Sequence, residues 1–80
     1  MQKILIVDDE HNIVNYIASM LEEQEEMMWE IYKAYNGYEA LDILQKIRID
    51  LVLLDIHMPG MQGLEAVSYT HLTLPTMAVV

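Results

Sequence analysis

The chain has 80 residues, the length of one small domain. A chain this short hides only about 60 to 65% of the surface that its unfolded form exposes, so we expect marginal stability. Hydrophobic residues make up 54% of the chain and its mean hydropathy is +0.18, which favours a folded protein over a disordered one.

The charge balance excludes several classes of partner. Thirteen acidic residues against four basic ones give a formal net charge of −9, which repels phosphate backbones and anionic lipids, so we expect no direct nucleic acid binding and no membrane association. The sequence contains no run of about 18 apolar residues and no signal-peptide core. The absence of cysteine excludes disulfides and thiolate metal sites and suits a reducing cytosol, so we expect a cytoplasmic protein.

The first two elements are a strand and a helix. An unbroken apolar run at residues 4–7, followed by Asp8, Asp9 and Glu10, predicts a strand that is buried on both faces. Helical spacing of apolar residues predicts a helix from Glu10 onward, with Asp9 as its N-cap. Acidic residues crowd the end of this helix, where the helix dipole disfavours them, so we expect fraying there. The predicted buried stripe consists of Ile13, Ile17, Met20 and Leu21, widened by Val14 and Ala18.

A second strand and helix follow. Imperfect alternation over residues 28–35 predicts an edge strand. Asn36 and Glu39 have the spacing of a capping box, which predicts the start of a second helix. Its predicted buried stripe is Ala40, Leu41, Leu44 and Ile47. A further apolar run at residues 51–54, which ends in Asp55, predicts a third buried strand.

The alternation of strands and helices predicts an α/β fold with an open parallel sheet. In such a sheet the carboxyl ends of neighbouring strands face one crevice. If the first and third strands are adjacent, Asp8, Asp9 and Asp55 converge there. Such a cluster holds either protons or a cation, because unit charges about 4 Å apart repel by about 4 kcal/mol at an effective dielectric near 20. Carboxylate oxygens suit Mg²⁺ or Mn²⁺.

Three stretches carry a family resemblance. They are Ile-Leu-Ile-Val-Asp-Asp-Glu at residues 4–10, Asn-Gly-Tyr-Glu-Ala-Leu at residues 36–41, and Asp-Leu-Val-Leu-Leu-Asp-Ile-His-Met-Pro-Gly-Met-Gln-Gly at residues 50–63. In this order and spacing, residues 3–65 resemble the receiver domain of bacterial two-component response regulators. The resemblance implies a flavodoxin-like (CheY-like), doubly wound parallel sheet.

The resemblance also implies roles for individual residues. Asp55 would be the phosphoacceptor, taking a phosphoryl group from a histidine kinase or a phosphotransfer protein, and the chain would not be an enzyme. Asp9 would bind Mg²⁺ directly and Asp8 would bind it mainly through water. The backbone carbonyl of His57 would supply a further metal ligand.

The resemblance ends near Glu65. We therefore divide the chain into a partial receiver domain at residues 1–65, truncated after the third strand, and a non-native-looking tail at residues 66–80. The most structure that we expect after residue 63 is a short helix over residues 64–71 and a strand over residues 77–80 that pairs beside the third strand as a substitute fourth strand. Because no lysine follows Lys46 within the sequence, we expect impaired phosphorylation. The output domain is expected to lie outside these 80 residues.

Two alternatives remain open at the level of sequence. A Mg²⁺-dependent phosphohydrolase of the haloacid dehalogenase kind also uses a strand-end aspartate, but that family needs a second aspartate two residues later, where this chain has His57. The other alternative is an inert docking fragment, which would bind its partner equally well with or without Mg²⁺ and a phosphodonor.

Overall fold

A computed structural model describes residues 2–55 together with the backbone of residues 76–79. The elements in chain order are β1 (Gln2–Val7), α1 (His11–Glu22), β2 (Trp29–Ala34), α2 (Gly37–Lys46), β3 (Leu51–Leu54) and β4 (Thr76–Val79). The strands form one parallel sheet in the order β2-β1-β3-β4. The predicted α/β architecture and the edge position of β2 are confirmed.

The two helices lie on opposite faces of the sheet, as a doubly wound fold requires. On one face, Leu5 and Val7 of β1 pack with Ala40 of α2. On the other face, Ile6 packs with Val14 and Ala18 of α1. Residues 4–7 of β1 are each at most 1% exposed, and full burial of such an aliphatic side chain stabilises the fold by about 1.5 to 3 kcal/mol.

The start of α1 differs from the prediction. The N-cap is Glu10, not Asp9, and it makes no side-chain capping hydrogen bond. The first turn of α1 itself contains no acidic residue. The reason is that the Asp8 carboxylate accepts the Glu10 N–H at 3.0 Å, and such a local turn over residues 8–10 delays the helix by one residue.

The buried stripe of α1 is also shifted. Val14 and Ala18, which were predicted only to widen the stripe, form its centre, with Ile17 and Leu21 beside them. Ile13 is 39% exposed and Met20 is 50% exposed, so their predicted burial is wrong. The helix faces the sheet through Val14 and Ala18, so Ile13 and Met20 lie to the side of this contact and are partly open to solvent.

The predicted cap of α2 is confirmed with one change. The Asn36 side chain accepts the Glu39 N–H at 2.9 Å, as in a capping box. The Glu39 carboxylate bonds the N–H of Tyr35 at 3.0 Å instead of the N–H of Asn36. The stripe of α2 also agrees with the prediction, since Ala40 is buried and Leu41, Leu44 and Ile47 pack against the same core.

The tail contributes a strand to the sheet. β4 pairs with β3 in parallel, with Leu51 opposite Thr76 and Leu54 opposite Val79. The substitute strand predicted at residues 77–80 is therefore present, one residue earlier than expected. The predicted short helix over residues 64–71 lies outside the described residues. Neither described helix has the length and apolar character needed to cross a membrane.

Candidate functional site at the carboxyl edge of the sheet

The register of the sheet brings the predicted carboxylates together. Val7 at the end of β1 lies opposite Leu54 at the end of β3, and the Asp55 N–H donates to the Val7 carbonyl at 3.1 Å. Asp8 follows Val7, and its N–H donates to the Ala34 carbonyl of β2 at 3.2 Å. One carboxylate oxygen from each of Asp8, Asp9 and Asp55 lies within 4.8 Å of the other two. The predicted convergence of these three side chains is confirmed.

Asp8 is the most buried of the three carboxylates. It is 7% exposed and is the only buried polar or charged residue in the part of the chain that the structure describes. Burial raises the pKa of its carboxyl above the ordinary value of 3.8, and the neighbouring Asp55 and Asp9 raise it further. The hydrogen bond from Glu10 acts in the opposite direction on this pKa. The site therefore disfavours the ionised form of Asp8 unless a positive charge is near.

The other two carboxylates are open to solvent to different extents. Asp9 is exposed and Asp55 is half-buried. A reacting group can therefore approach Asp55 from outside, while Asp8 lies deeper. An all-oxygen set of three acidic ligands within 4.8 Å of one another fits a hard divalent cation such as Mg²⁺ or Mn²⁺, with water completing its coordination. His57, whose backbone carbonyl was predicted as a further ligand, lies outside the described residues.

An aromatic pair next to the site was not predicted. His11, the first residue of α1, stacks on Tyr35, with ring centroids 3.8 Å apart and planes inclined by 18°. His11 is an exposed residue. The stack depends on the pairing of Val7 with Ala34, which brings the segments after β1 and β2 side by side and which no local sequence pattern specifies.

A family model gives the assignment. The response regulator receiver domain matches residues 4–80. The chain belongs to the response regulator receiver family. The match includes residues 66–80, beyond the motifs that carried the resemblance in the sequence.

Relatives of this receiver chain support the same assignment. Sporulation initiation phosphotransferase F of Bacillus subtilis is 44% identical over 64 residues, which are 80% of this chain and 49% of that protein. Regulatory protein VanR of Enterococcus faecium is 44% identical over 62 residues, which are 78% of this chain and 26% of that protein. The chain thus spans about half, or less, of the length of these relatives.

A solved structure has the same fold. The chain is similar to a chain in the crystal structure of the P1 domain of CheA3 in complex with CheY6 from R. sphaeroides, with a TM-score of 0.75 and 34% identity. The similarity covers 98% of this receiver chain and 61% of the other chain. The flavodoxin-like (CheY-like) architecture expected from the sequence is confirmed.

Proposed function

We propose that this receiver chain is a phosphoacceptor module that takes a phosphoryl group onto Asp55 from a phosphorylated histidine in the presence of Mg²⁺ or Mn²⁺. The observation that carries the proposal is the convergence of Asp8, Asp9 and Asp55 within 4.8 Å at the ends of β1 and β3. Membership of the receiver family supports the same chemistry. It also favours an acceptor over a phosphohydrolase of the haloacid dehalogenase kind.

The proposed step is a transfer between two side chains. A carboxylate oxygen of Asp55 attacks phosphorus, the bond from phosphorus to the donor's imidazole nitrogen breaks, and the imidazole takes the bonding electron pair. The product is an acyl phosphate on Asp55 and a dephosphorylated histidine. Because Asp55 is consumed in the step, the chain is a stoichiometric acceptor and not an enzyme in this proposal.

The residues around Asp55 have distinct parts in this step. The hydrogen bond from its backbone N–H to the Val7 carbonyl, 3.1 Å long, fixes the acceptor at the edge of the sheet. Asp8 and Asp9 would hold the divalent cation, together with the His57 backbone carbonyl. A bound cation supplies charge neutralisation for the transferring phosphoryl group, which needs positioning and electrostatic stabilisation more than covalent help.

The proposed donor is a histidine kinase or a phosphotransfer protein. The name of one relative, the CAI-1 autoinducer sensor kinase/phosphatase CqsS of Vibrio cholerae, describes a kinase that contains a segment 43% identical to 65 residues of this chain. The proposed setting is the cytoplasm. We further propose that this chain is phosphorylated slowly, because no lysine follows Lys46 in it to contact the phosphoryl group.

The test is covalent labelling by a small phosphodonor. The wild-type chain is incubated with acetyl phosphate and MgCl₂, and intact mass is recorded over time. We expect slow, Mg²⁺-dependent addition of one phosphoryl group, and none to Asp55→Ala. The matched control is Asp42→Asn on the exposed side of α2, which should be labelled like the wild type. Equal labelling of Asp55→Ala, or no labelling of the wild type, would refute the proposal.

A further inference from the structure

We propose that His11 and Tyr35 are positioning residues of the carboxylate site. Their stacked rings fix the start of α1 and so determine where Asp8 and Asp9 lie. The inference rests on the proposed function, since it assigns the stack a part in cation binding. It assigns to the two rings no contact with the cation or with the phosphoryl group.

The start of α1 lacks a side-chain cap, although Val14 at the end of the first turn is buried in the core. Its N-cap, Glu10, makes no side-chain hydrogen bond to the first turn. The Glu10 carbonyl accepts the N–H groups of Ile13 and Val14 at 3.1 and 3.2 Å, so the first turn is closed by the backbone alone. A helix terminus without a side-chain cap frays more readily. The stack supplies His11, the first residue of the helix, with a side-chain contact to another element.

Tyr35 is the fixed partner of this pair. Its ring packs against the core formed by Ile6, Val14 and Ala18, and its backbone N–H donates to the Glu39 carboxylate at 3.0 Å. It also directly follows β2, which pairs with β1 along its whole length. Because Val14 and Ala18 belong to α1, the tyrosine is held by the middle of α1 as well as by the sheet and α2, and His11 adds a contact at the first residue of the helix.

The stack controls a short segment that contains two of the three carboxylates. Only residues 8–10 separate the end of β1 from the start of α1. This segment is held at one end by the pairing of β1 and at the other end by the first turn of α1, where Val14 is buried and His11 stacks on Tyr35. Within it, the Asp8 carboxylate accepts the Glu10 N–H at 3.0 Å. Movement of the helix start therefore moves Glu10, and with it the Asp8 carboxylate and the Asp9 backbone.

The experiment removes and restores the stack. His11→Ala and Tyr35→Ala are compared with the double variant and with His11→Phe, which retains an aromatic ring. Tyr38→Ala is the matched control, because Tyr38 is 85% exposed and lies in the first turn of α2. Two quantities are measured: the Mg²⁺ dissociation constant by NMR titration, and, without metal, the exchange rates of the Ile13 and Val14 amide hydrogens. The free energy of unfolding of each variant is recorded alongside.

We expect Mg²⁺ binding to weaken by about two- to tenfold in each alanine variant, the range that corresponds to one stacked aromatic pair. The double variant should bind no more weakly than the single ones, because both substitutions remove one contact. His11→Phe and Tyr38→Ala should bind like the wild type. The amide hydrogens of Ile13 and Val14 should exchange faster in His11→Ala by a similar factor.

Two results would overturn the inference. Unchanged Mg²⁺ affinity in His11→Ala, with only a lower free energy of unfolding, would make the stack a general stabilising contact. Unchanged amide exchange in His11→Ala would show that the stack does not hold the helix start. A wild-type chain that binds no Mg²⁺ would instead refute the proposed function, and with it the role of the stack in cation binding. In that case the amide exchange rates would still show whether the stack holds the start of α1.

Discussion

Replacing Asp8 by asparagine should stabilise the metal-free receiver chain at neutral pH. The substitution removes a buried negative charge that lies beside Asp9 and Asp55. It preserves the shape of the side chain and the oxygen that accepts the Glu10 N–H. The substitution therefore isolates the electrostatic cost of the carboxylate cluster from its local hydrogen bonding.

The expected gain follows from the geometry of the cluster. Two unit charges at the 4.8 Å limit that contains the three carboxylate oxygens repel by about 1 to 3.5 kcal/mol for effective dielectrics of about 80 down to 20. The repulsion energy lies in the low part of this range, because solvent screens the charges of the exposed Asp9 and the half-buried Asp55. We therefore expect Asp8→Asn to raise the free energy of unfolding by about 1 to 2 kcal/mol.

The gain should depend on pH in a defined direction. Because the pKa of Asp8 is raised in the folded chain, the stability that Asp8 contributes is fully present below its unfolded pKa of about 3.9 and is lost as pH rises through the folded value. The advantage of Asp8→Asn should thus be largest at neutral pH and shrink as the pH is lowered toward about 4.

The assay is urea unfolding in EDTA, repeated from neutral to acidic pH and then with excess Mg²⁺. Asp42→Asn is the control for loss of an exposed carboxylate, and its effect should stay below about 0.5 kcal/mol. With excess Mg²⁺ the wild type should have the higher free energy of unfolding, because it binds the cation more tightly than Asp8→Asn does. A metal-free Asp8→Asn chain that is less stable than the wild type at neutral pH, or a gain that does not vary with pH, would refute this account of the cluster.

Three further predictions concern the fold and the cation. Asn36→Ala should lower the free energy of unfolding by about 1 kcal/mol through loss of the α2 cap, and urea unfolding would contradict the assigned cap if it showed no change. Val14→Ala should cost about 2 kcal/mol by leaving a cavity, and Ile13→Ala less than about 1 kcal/mol; the reverse order would contradict the observed stripe of α1. Mg²⁺ at about 100 times its dissociation constant should stabilise the wild type by about 2.7 kcal/mol, whereas a melting temperature that does not change with Mg²⁺ would exclude binding to the folded state.

The strands and the carboxylate cluster could be predicted from the sequence because their signals are local. Four apolar residues in a row at residues 4–7 and again at residues 51–54, each followed by an acidic residue, favour strands that are covered by helices. Each run ends in aspartate, and parallel neighbours place their carboxyl ends at one edge of the sheet. The convergence of Asp8 and Asp55 then required only that β1 and β3 be adjacent, which the structure bears out.

The start of α1 could not be predicted in the same way. Asp8 and Asp9 are both good capping residues by type, yet the N-cap is Glu10, because tertiary pairing occupies the segment before it. The Asp8 N–H donates to β2 and its carboxylate accepts the Glu10 N–H, so the chain turns before the helix begins. The contact between His11 and Tyr35 depends likewise on the register between β1 and β2, which no local pattern specifies.

The pairing of the tail with β3 also depended on tertiary context. Residues 76–79 form a short, uncharged segment. Such a segment predicts a strand only when another strand is available to pair with it. β3 offers that neighbour, because its other edge is already paired with β1. β4 therefore covers the edge of β3 that would otherwise present unpaired backbone groups.

The most direct test of the phosphoacceptor role of Asp55 is chemical mapping of the modified residue. After treatment with acetyl phosphate and Mg²⁺, borohydride reduces an aspartyl phosphate to homoserine, and tandem mass spectrometry of the peptides locates the conversion. We predict Mg²⁺-dependent homoserine at position 55 and nowhere else. Homoserine at position 8 or 9, or its formation at position 55 in the presence of EDTA at the same rate, would contradict the role assigned to this carboxylate cluster.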